Sequence, residues 1–350
     1  MNIRLAANVL QDSRWFPALD VLLDIVSQPY SHASLDPSQF GQISSSPWLK
    51  NATGPREVLA EMIRGAARTM SRQTPVTAVT LEIDADAPTS GEILPTATMR
   101  FTPLKAIALL AQPLQIIVED ETSDGGFLLW MARLLGKDSI RAAYRAGRVS
   151  FRHAGGKRQM LKSARAMTFG VWPRDGRPIM PMKLRSCAIL DSDSHFAGDD
   201  RNATIKSQLE PHVGFVHILE GRTIENYVPR KHAEDRLRGA GPAVAAYFSL
   251  SEEQRRYFPL KTGFRDEATP PQPQSMSDFK ADNRWHPKEK MLFDGISDTN
   301  WQRFSGGFGD SLAAVYQEEA YRCAPGAAHL LTVAQQQEIE NLLVTIINHI

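Results

Sequence analysis

Two hydrophobic periods alternate along the first hundred residues of this chain. Residues 15–27 (WFPALDVLLDIVS) and 56–70 (REVLAEMIRGAARTM) carry apolar side chains at the spacing of one helix face. Residues 77–84 (TAVTLEID) instead alternate polar and apolar, the period of a half-buried strand. Ser31–Gly54, rich in Ser, Pro, Asn and Gly, reads as loop. Thr102-Pro103 ahead of LKAIALLA predicts a helix start, with Thr as N-cap and Pro at the first helical position.

From Pro113 the pattern changes. LQIIVED (114–120) is an apolar run ending in acids, followed by a polar turn and FLLWMARLLG, a buried helix. Arg148–Arg152 predicts a strand that stops at Gly155-Gly156, and residues 157–167 predict a helix. SCAILDSDS (186–194) is a second apolar strand ending in acids, and VGFVHIL (213–219) is a third, running into EGRTIENYVP. Apolar strands alternating with helices imply a parallel sheet covered on both faces. Beyond Asp235 the pattern is helical and irregular. Residues 265–288, with TPPQPQS, read as a linker or mobile loop, and 308–350 as two helical stretches parted by Ala324-Pro325-Gly326. The expected organisation is an α/β N-terminal region (1–112), a parallel-sheet domain (113–235) and a mostly helical C-terminal region (236–350).

Three of the strand ends carry carboxylates: Glu119-Asp120, Asp191 with Asp193, and Glu225 a turn beyond the third. Open α/β sheets bind ligands beyond the carboxyl ends of their strands. In an extended segment Asp191 and Asp193, two apart, point to the same side. Converging acids repel unless a cation sits among them, and an all-oxygen set suits Mg²⁺ or Mn²⁺.

These stretches resemble the Toprim domain, specifically its OLD-family nuclease version. The resemblance covers about 113–230 and rests on IIVED, with Asp124 downstream, then ILDSDS, then LEGRTIENYV, with Glu225-Asn226-Tyr227 matching the family's IENY stretch. Gly155-Gly156 falls where such domains carry a glycine pair. The resemblance implies a Rossmann-like core and a nuclease using two metal ions, Mg²⁺ or Mn²⁺, held by Glu119, Asp191, Asp193 and Glu225. Asp124 stands as a fifth ligand, five residues after Glu119 where the family has four, and Asp120 replaces the family's glycine. Glu119 acts either as ligand or as general base. The family's downstream lysine maps loosely to Lys288 or Lys290 in HPKEKML, with Lys290 the candidate. By analogy the role is prokaryotic anti-phage defence. A non-catalytic or partner-gated subunit of an ATPase-containing complex is the alternative, and a primase-type Toprim enzyme a further one.

Composition changes this picture in one place. Forty Lys and Arg against 39 Asp and Glu leave a net +1, which at face value argues against nucleic acid. Between Lys137 and Arg185, however, 13 Lys and Arg face two acids, and that segment is +11. Arg141, Arg145 and Arg148 fall at i, i+4 and i+7, so one helical face is expected to be basic. With Lys157 and Arg158 they are the expected contacts to DNA or RNA, and Tyr144, Phe151, Phe169 and Trp172 are interleaved for stacking.

The remaining features are read as structural. Glu82, Asp84 and Asp86 form a solvated strand edge with no partner motif. HAGGKRQ (153–159) lacks the first glycine and the hydroxyl residue of a Walker A loop, so any ATPase would be a separate partner. His195 is placed at the surface, with substrate phosphate as its other reading. Cys187 and Cys323, far apart, build neither zinc site nor disulfide framework, and free thiols fit a reducing compartment. MNIRLAANVLQDSRW has no long apolar core or small-residue cleavage site, so a secretory signal is not expected, and no run of 18 apolar residues occurs. A cytoplasmic protein is expected, not membrane-bound, with homo-oligomerisation open.

Overall fold

The computed structural model describes residues 2–28, 34–50, 54–69, 80–88, 92–93, 98–170, 182–268, 271–318 and 323–349. Two sheets organise them. The first contains β1 (Asn2–Leu5), β2 (Ser34–Leu35), β3 (Thr80–Ile83), β4 (Glu92–Ile93) and β5 (Thr98–Phe101), ordered β2-β1-β3-β5-β4. All neighbours in it are parallel except the edge strand β4, which runs antiparallel to β5. Leu81 and Ile83 are buried while Glu82 between them is not, as the alternation requires. The helices Phe16–Ser27, Pro55–Thr69 and Pro103–Leu110 form where the helical period predicts them. Pro103 occupies the first turn, but Thr102 supplies only its extended backbone, because its side chain makes no capping hydrogen bond.

Two segments depart from the loops expected of them. Within 31–54 lie β2 and the helices Phe40–Ser45 and Pro47–Lys50, anchored by the fully buried Ile43 and Trp48. Within 265–288 lies the helix Met276–Ala281, which drives Phe279 into an aromatic cluster with Phe264, Trp285 and Trp301. One or two large apolar side chains give no period to read, yet each buries enough area to fix a short helix.

The second sheet contains β6 (Leu114–Val118), β7 (Val149–His153), β8 (Ser186–Leu190) and β9 (Val216–Ile218), all parallel in the order β7-β6-β8-β9. Both faces are covered. Leu114, Ile116, Val118, Cys187 and Ile189 point into the main core, whereas Ile117, Ala188 and Leu190 point into a smaller core under the helix Lys157–Phe169. That double burial is why these strands read as continuous apolar runs. The main core extends without a break into the C-terminal region, taking in Phe258, Phe264, Trp301, Ile339 and Leu343. Met182 and Leu184, just before β8, belong to the core of the first sheet.

The strand order sets the position of the site. From β6 the chain crosses outward to β7 and then returns to β8 on the other side of β6. The loops after β6 and β8 therefore leave in opposite directions and open a crevice at the carboxyl end of the sheet, the switch point where α/β folds bind ligands. Among the described residues, no helix is long and apolar enough to cross a membrane.

Candidate functional site

Glu119 is the first residue beyond β6, and Asp191 the first beyond β8. The β6–β7 ladder continues past both strands, since Ala154 N donates to Val118 O (3.0 Å) and Gly155 N to Glu119 O (3.1 Å). This brings the glycine pair beside Glu119. Both glycines have positive φ, 73° at Gly155 and 110° at Gly156, a turn that side chains resist, and the helix Lys157–Phe169 starts directly after it. The turn aims Lys157 back at the acids: its ammonium pairs with Asp193 and lies 3.4 Å from Glu119 Oε1. Glu119, Gly155, Gly156, Lys157, Asp191, Asp193 and Lys261 share one open crevice of about 580 Å³.

Asp191 and Asp193 both line that crevice, but not through the extended geometry their spacing implies. Asp193 has φ 52°, left-handed for a residue with a side chain, so the chain turns between them. Asp191 Oδ1 accepts from Ile224 N (3.1 Å), while Asp193 turns to Lys157 and its N–H donates to Arg222 O (2.9 Å). Asn202 clamps the loop by donating to Asp191 O (2.7 Å) and Ser192 O (2.8 Å).

The IENY stretch is a 3-10 turn, Ile224–Tyr227, closed by a capping box between Thr223 and Asn226. It buries Glu225 to 2% exposure, and neither carboxylate oxygen has a hydrogen-bond partner. Lys261 approaches with Nζ 3.3 Å from Glu225 Oε1. Lys261 comes from a turn held between two glycines: a Cβ on Gly263 would meet Ser305 O at 2.1 Å, and one on Gly307 would meet Gly263 N at 2.5 Å. Gly309 N donates to Lys261 O (3.0 Å) and Phe308 N to Leu260 O (2.7 Å), so the 304–309 segment fixes this lysine.

The electrostatics follow from this crowding. Burial, with Glu225 and Asp124 nearby, pushes the Asp191 carboxyl well above the carboxylate range. Burial also raises Glu119, where Lys157 opposes the effect and Asp193 and Asp124 reinforce it. Asp124 is raised by burial too, although its Oδ2 accepts from Asp120 N (3.0 Å). Asp120 is different: the hydroxyl of Thr122 and the N–H of Ser123 hold it down at about 2, so its carboxylate caps the following turn and reaches the cluster through its charge on Asp124. Burial pulls Lys261 down, but Glu225, Asp310 and Asp191 together outweigh it and leave the lysine raised.

The cluster thus unites Glu119, Asp124, Asp191, Asp193 and Glu225. Among the described residues, no three His, Cys, Asp or Glu side chains already surround one point closely enough to hold a metal. The ammonium of Lys157 stands between Glu119 and Asp193, and that of Lys261 against Glu225.

Several expected residues lie elsewhere. Lys290 is on the helix Pro287–Leu292 and forms no ion pair with these acids; the lysine beside Glu225 is Lys261. Sequence reasoning misses Lys261 because a single lysine before Gly263 has no period or motif. Arg148 does not extend the face of Arg141 and Arg145. The helix ends at Arg145, Gly147 turns the chain at φ 69°, and Arg148 Nε is buried without a hydrogen-bond partner. Arg158 and Arg145 are exposed, whereas Arg141 pairs with Asp138 at 3.0 Å. Arg185, counted in the basic segment, is 1% exposed and donates to the carbonyls of Gln112 and His349. Trp172, Arg174 and Arg177 lie outside the described residues.

Tyr144 and Phe151 face each other at 5.4 Å in a groove they share with Arg133, Arg141 and Arg145. Asp84 is no solvated edge residue; it is 8% exposed and accepts from Asn8 (2.7 Å) and Arg100 (3.3 Å). His195 is neither free surface nor open to substrate, being bonded to Glu289 and Arg222. Both cysteines are buried and free, and burial raises the Cys187 thiol far above its ordinary range.

Comparison of this chain with protein-family models, with curated proteins and with solved structures finds no match.

Proposed function

We propose that this chain is a metal-dependent nuclease that hydrolyses phosphodiester bonds of DNA or RNA, with a catalytic domain of the Toprim type resembling the OLD family. The observation that carries the reading is the convergence of Glu119, Asp191 and Glu225 from the loops after the adjacent strands β6, β8 and β9, close enough that Glu225 and Glu119 both help to raise Asp191. A buried carboxylate whose ion-pair partner, Lys261, is half-exposed is costly, and one that also raises a second acid adds to that cost. Such a cost is recovered when a cation binds.

The donor set fits a hard divalent ion. Every candidate ligand is a carboxylate oxygen, as Mg²⁺ and Mn²⁺ prefer, and Glu225 Oε2 is uncommitted while Oε1 faces only the Lys261 ammonium. Glu119, Asp191, Asp193 and Glu225 would hold the metal, with Asp124 behind them. When bound, a divalent ion lowers the pKa of a coordinated water and neutralises charge on the phosphate.

The chain's own residues supply the rest. Lys157 and Lys261 border the crevice from opposite loops, so a phosphodiester entering it meets an ammonium on each side. Glu119, raised by burial, is suited to hold a proton taken from the attacking water. Exposed Arg158, next to Lys157, and Arg145 in the neighbouring groove would contact the backbone. A role in anti-phage defence rests on the resemblance alone.

The test is direct. Purified protein is incubated with plasmid, linear DNA and total RNA in Mg²⁺ or Mn²⁺, beside Asp191→Ala. Cleavage by the wild type and none by the variant supports the reading; identical behaviour on every substrate overturns it.

A further inference from the structure

Glu289 is 0% exposed, on a helix otherwise facing solvent or half-buried. Its Oε2 lies 2.8 Å from His195 Nδ1, and the other nitrogen of that ring, Nε2, lies 3.0 Å from Arg222 Nη2. A guanidinium only donates, so His195 Nε2 accepts, the ring proton sits on Nδ1, and Nδ1–H donates to Glu289. Arg222 Nη1 closes the triangle 3.7 Å from Glu289 Oε1, and also donates to Tyr257 O (3.3 Å). A carboxylate beside a histidine has the outline of a catalytic dyad. Here Nε2, the nitrogen that would take a proton, is already engaged by Arg222.

The triangle is joined to the backbone of Asp193 through the Arg222 main chain. Arg222 O accepts from Asp193 N (2.9 Å), Arg222 N donates to Arg256 O (2.9 Å), and His195 N donates to Asp199 Oδ2 (2.9 Å). The left-handed conformation at Asp193 is disfavoured by about 1 kcal/mol or more and persists only where its surroundings fix it. The three members come from separate places: the loop after β8, the loop after β9, and the helix Pro287–Leu292 of the C-terminal region. Glu289 is a buried carboxylate and His195 and Arg222 are half-buried, a polar cluster that an apolar filling often replaces without loss of stability.

We propose that His195, Arg222 and Glu289 are positioning residues that lock Asp193 in the orientation the nuclease reaction requires, through the Arg222 main chain. The proposal rests on the nuclease reading for its kinetic effect, and on nothing but the geometry for its proton assignment.

Two measurements test it, on the full chain. In the wild type labelled with ¹⁵N-histidine, the His195 ring is expected with its proton on Nδ1 and none on Nε2, the less common tautomer in water; a ring carrying a proton on Nε2 overturns the triangle as assigned. For Glu289→Gln, kcat on a nucleic-acid substrate in Mn²⁺ is expected to fall about 10- to 100-fold, with KM changed less than about threefold. A folded Glu289→Gln with wild-type kcat, or one whose KM rises as much as kcat falls, overturns the positioning role. If Glu289→Gln does not fold, His195→Asn carries the kinetic arm and the tautomer still decides the triangle. Wild type indistinguishable from Asp191→Ala marks failure of the nuclease reading instead, and leaves the tautomer result standing.

Discussion

Lys261 Nζ lies 3.3 Å from Glu225 Oε1, joining a half-exposed ammonium to a carboxylate that is 2% exposed and has no hydrogen-bond donor. Lys261→Ala leaves that carboxylate alone in the protein. Removing one partner of a fully buried pair costs several kcal/mol. Because Lys261 is 47% exposed and water screens it, about 1–2 kcal/mol is expected here. In a double-mutant cycle, Lys261→Ala placed on Glu225→Gln should cost much less, read from urea unfolding. Equal costs in both backgrounds would show that the two side chains are not coupled.

The turn that carries Lys261 tolerates no side chain. Gly263 has φ 63°, and its Cβ would overlap Ser305 O and Gly307 N. Gly263→Ala is expected to destabilise by about 3 kcal/mol or more, beyond the roughly 1 kcal/mol of the backbone conformation alone. Gly239→Ala, with nothing within 4 Å of its Cβ, serves as the control and should be near neutral by thermal unfolding.

Asp191 gives a pH dependence with a defined sign. Its folded value is raised above the ordinary 3.8, so the unfolded chain ionises first as pH rises. The folded form binds more protons in that window, and stability falls until the pH passes the raised folded value. Below about pH 3.8 both states are protonated and the penalty is absent. Asp191→Asn should therefore stabilise the metal-free protein at pH 7, by at least about 2 °C in Tm. The gain should shrink as the pH is lowered toward 4, and a gain independent of pH would refute the assignment.

Divalent ions should reverse that penalty. Mn²⁺ or Mg²⁺ binding to the folded state alone raises Tm, by the equivalent of about 2.7 kcal/mol at 100-fold excess over Kd. The shift is expected in the wild type and lost in Glu225→Ala and Asp191→Ala, followed by thermal shift with Ca²⁺ and Na⁺ as comparisons. An equal shift in wild type and variants would place the ions elsewhere.

Nucleic-acid affinity should depend on the exposed arginines rather than on the whole basic segment. Arg145→Ala and Arg158→Ala should each weaken binding for all sequences and reduce the salt slope by about 1. Arg185→Ala should instead destabilise the protein, since that guanidinium is 1% exposed and ties β8 to the C-terminus through His349 O.

The sequence by itself determined the repeating strands and helices and the order of the acids. Apolar runs buried on both faces announce β6 and β8, and Glu119 and Asp191 stand one residue beyond them because carboxylates cannot stay in that core. Periodicity carries this much because burial acts on every second or every fourth residue alike. It could not find Lys261 or Glu289. Each is a lone polar residue in a segment with no period, brought to the site across the C-terminal region by a glycine contact or a buried helix face. Nor could it foresee that Asp193 turns left-handed, that Arg148 is half-buried or that Arg185 leaves the basic surface, because backbone strain and charge burial are set by neighbours distant in the chain. Tertiary structure decided which charges meet; the sequence decided only that they lie at the ends of the strands.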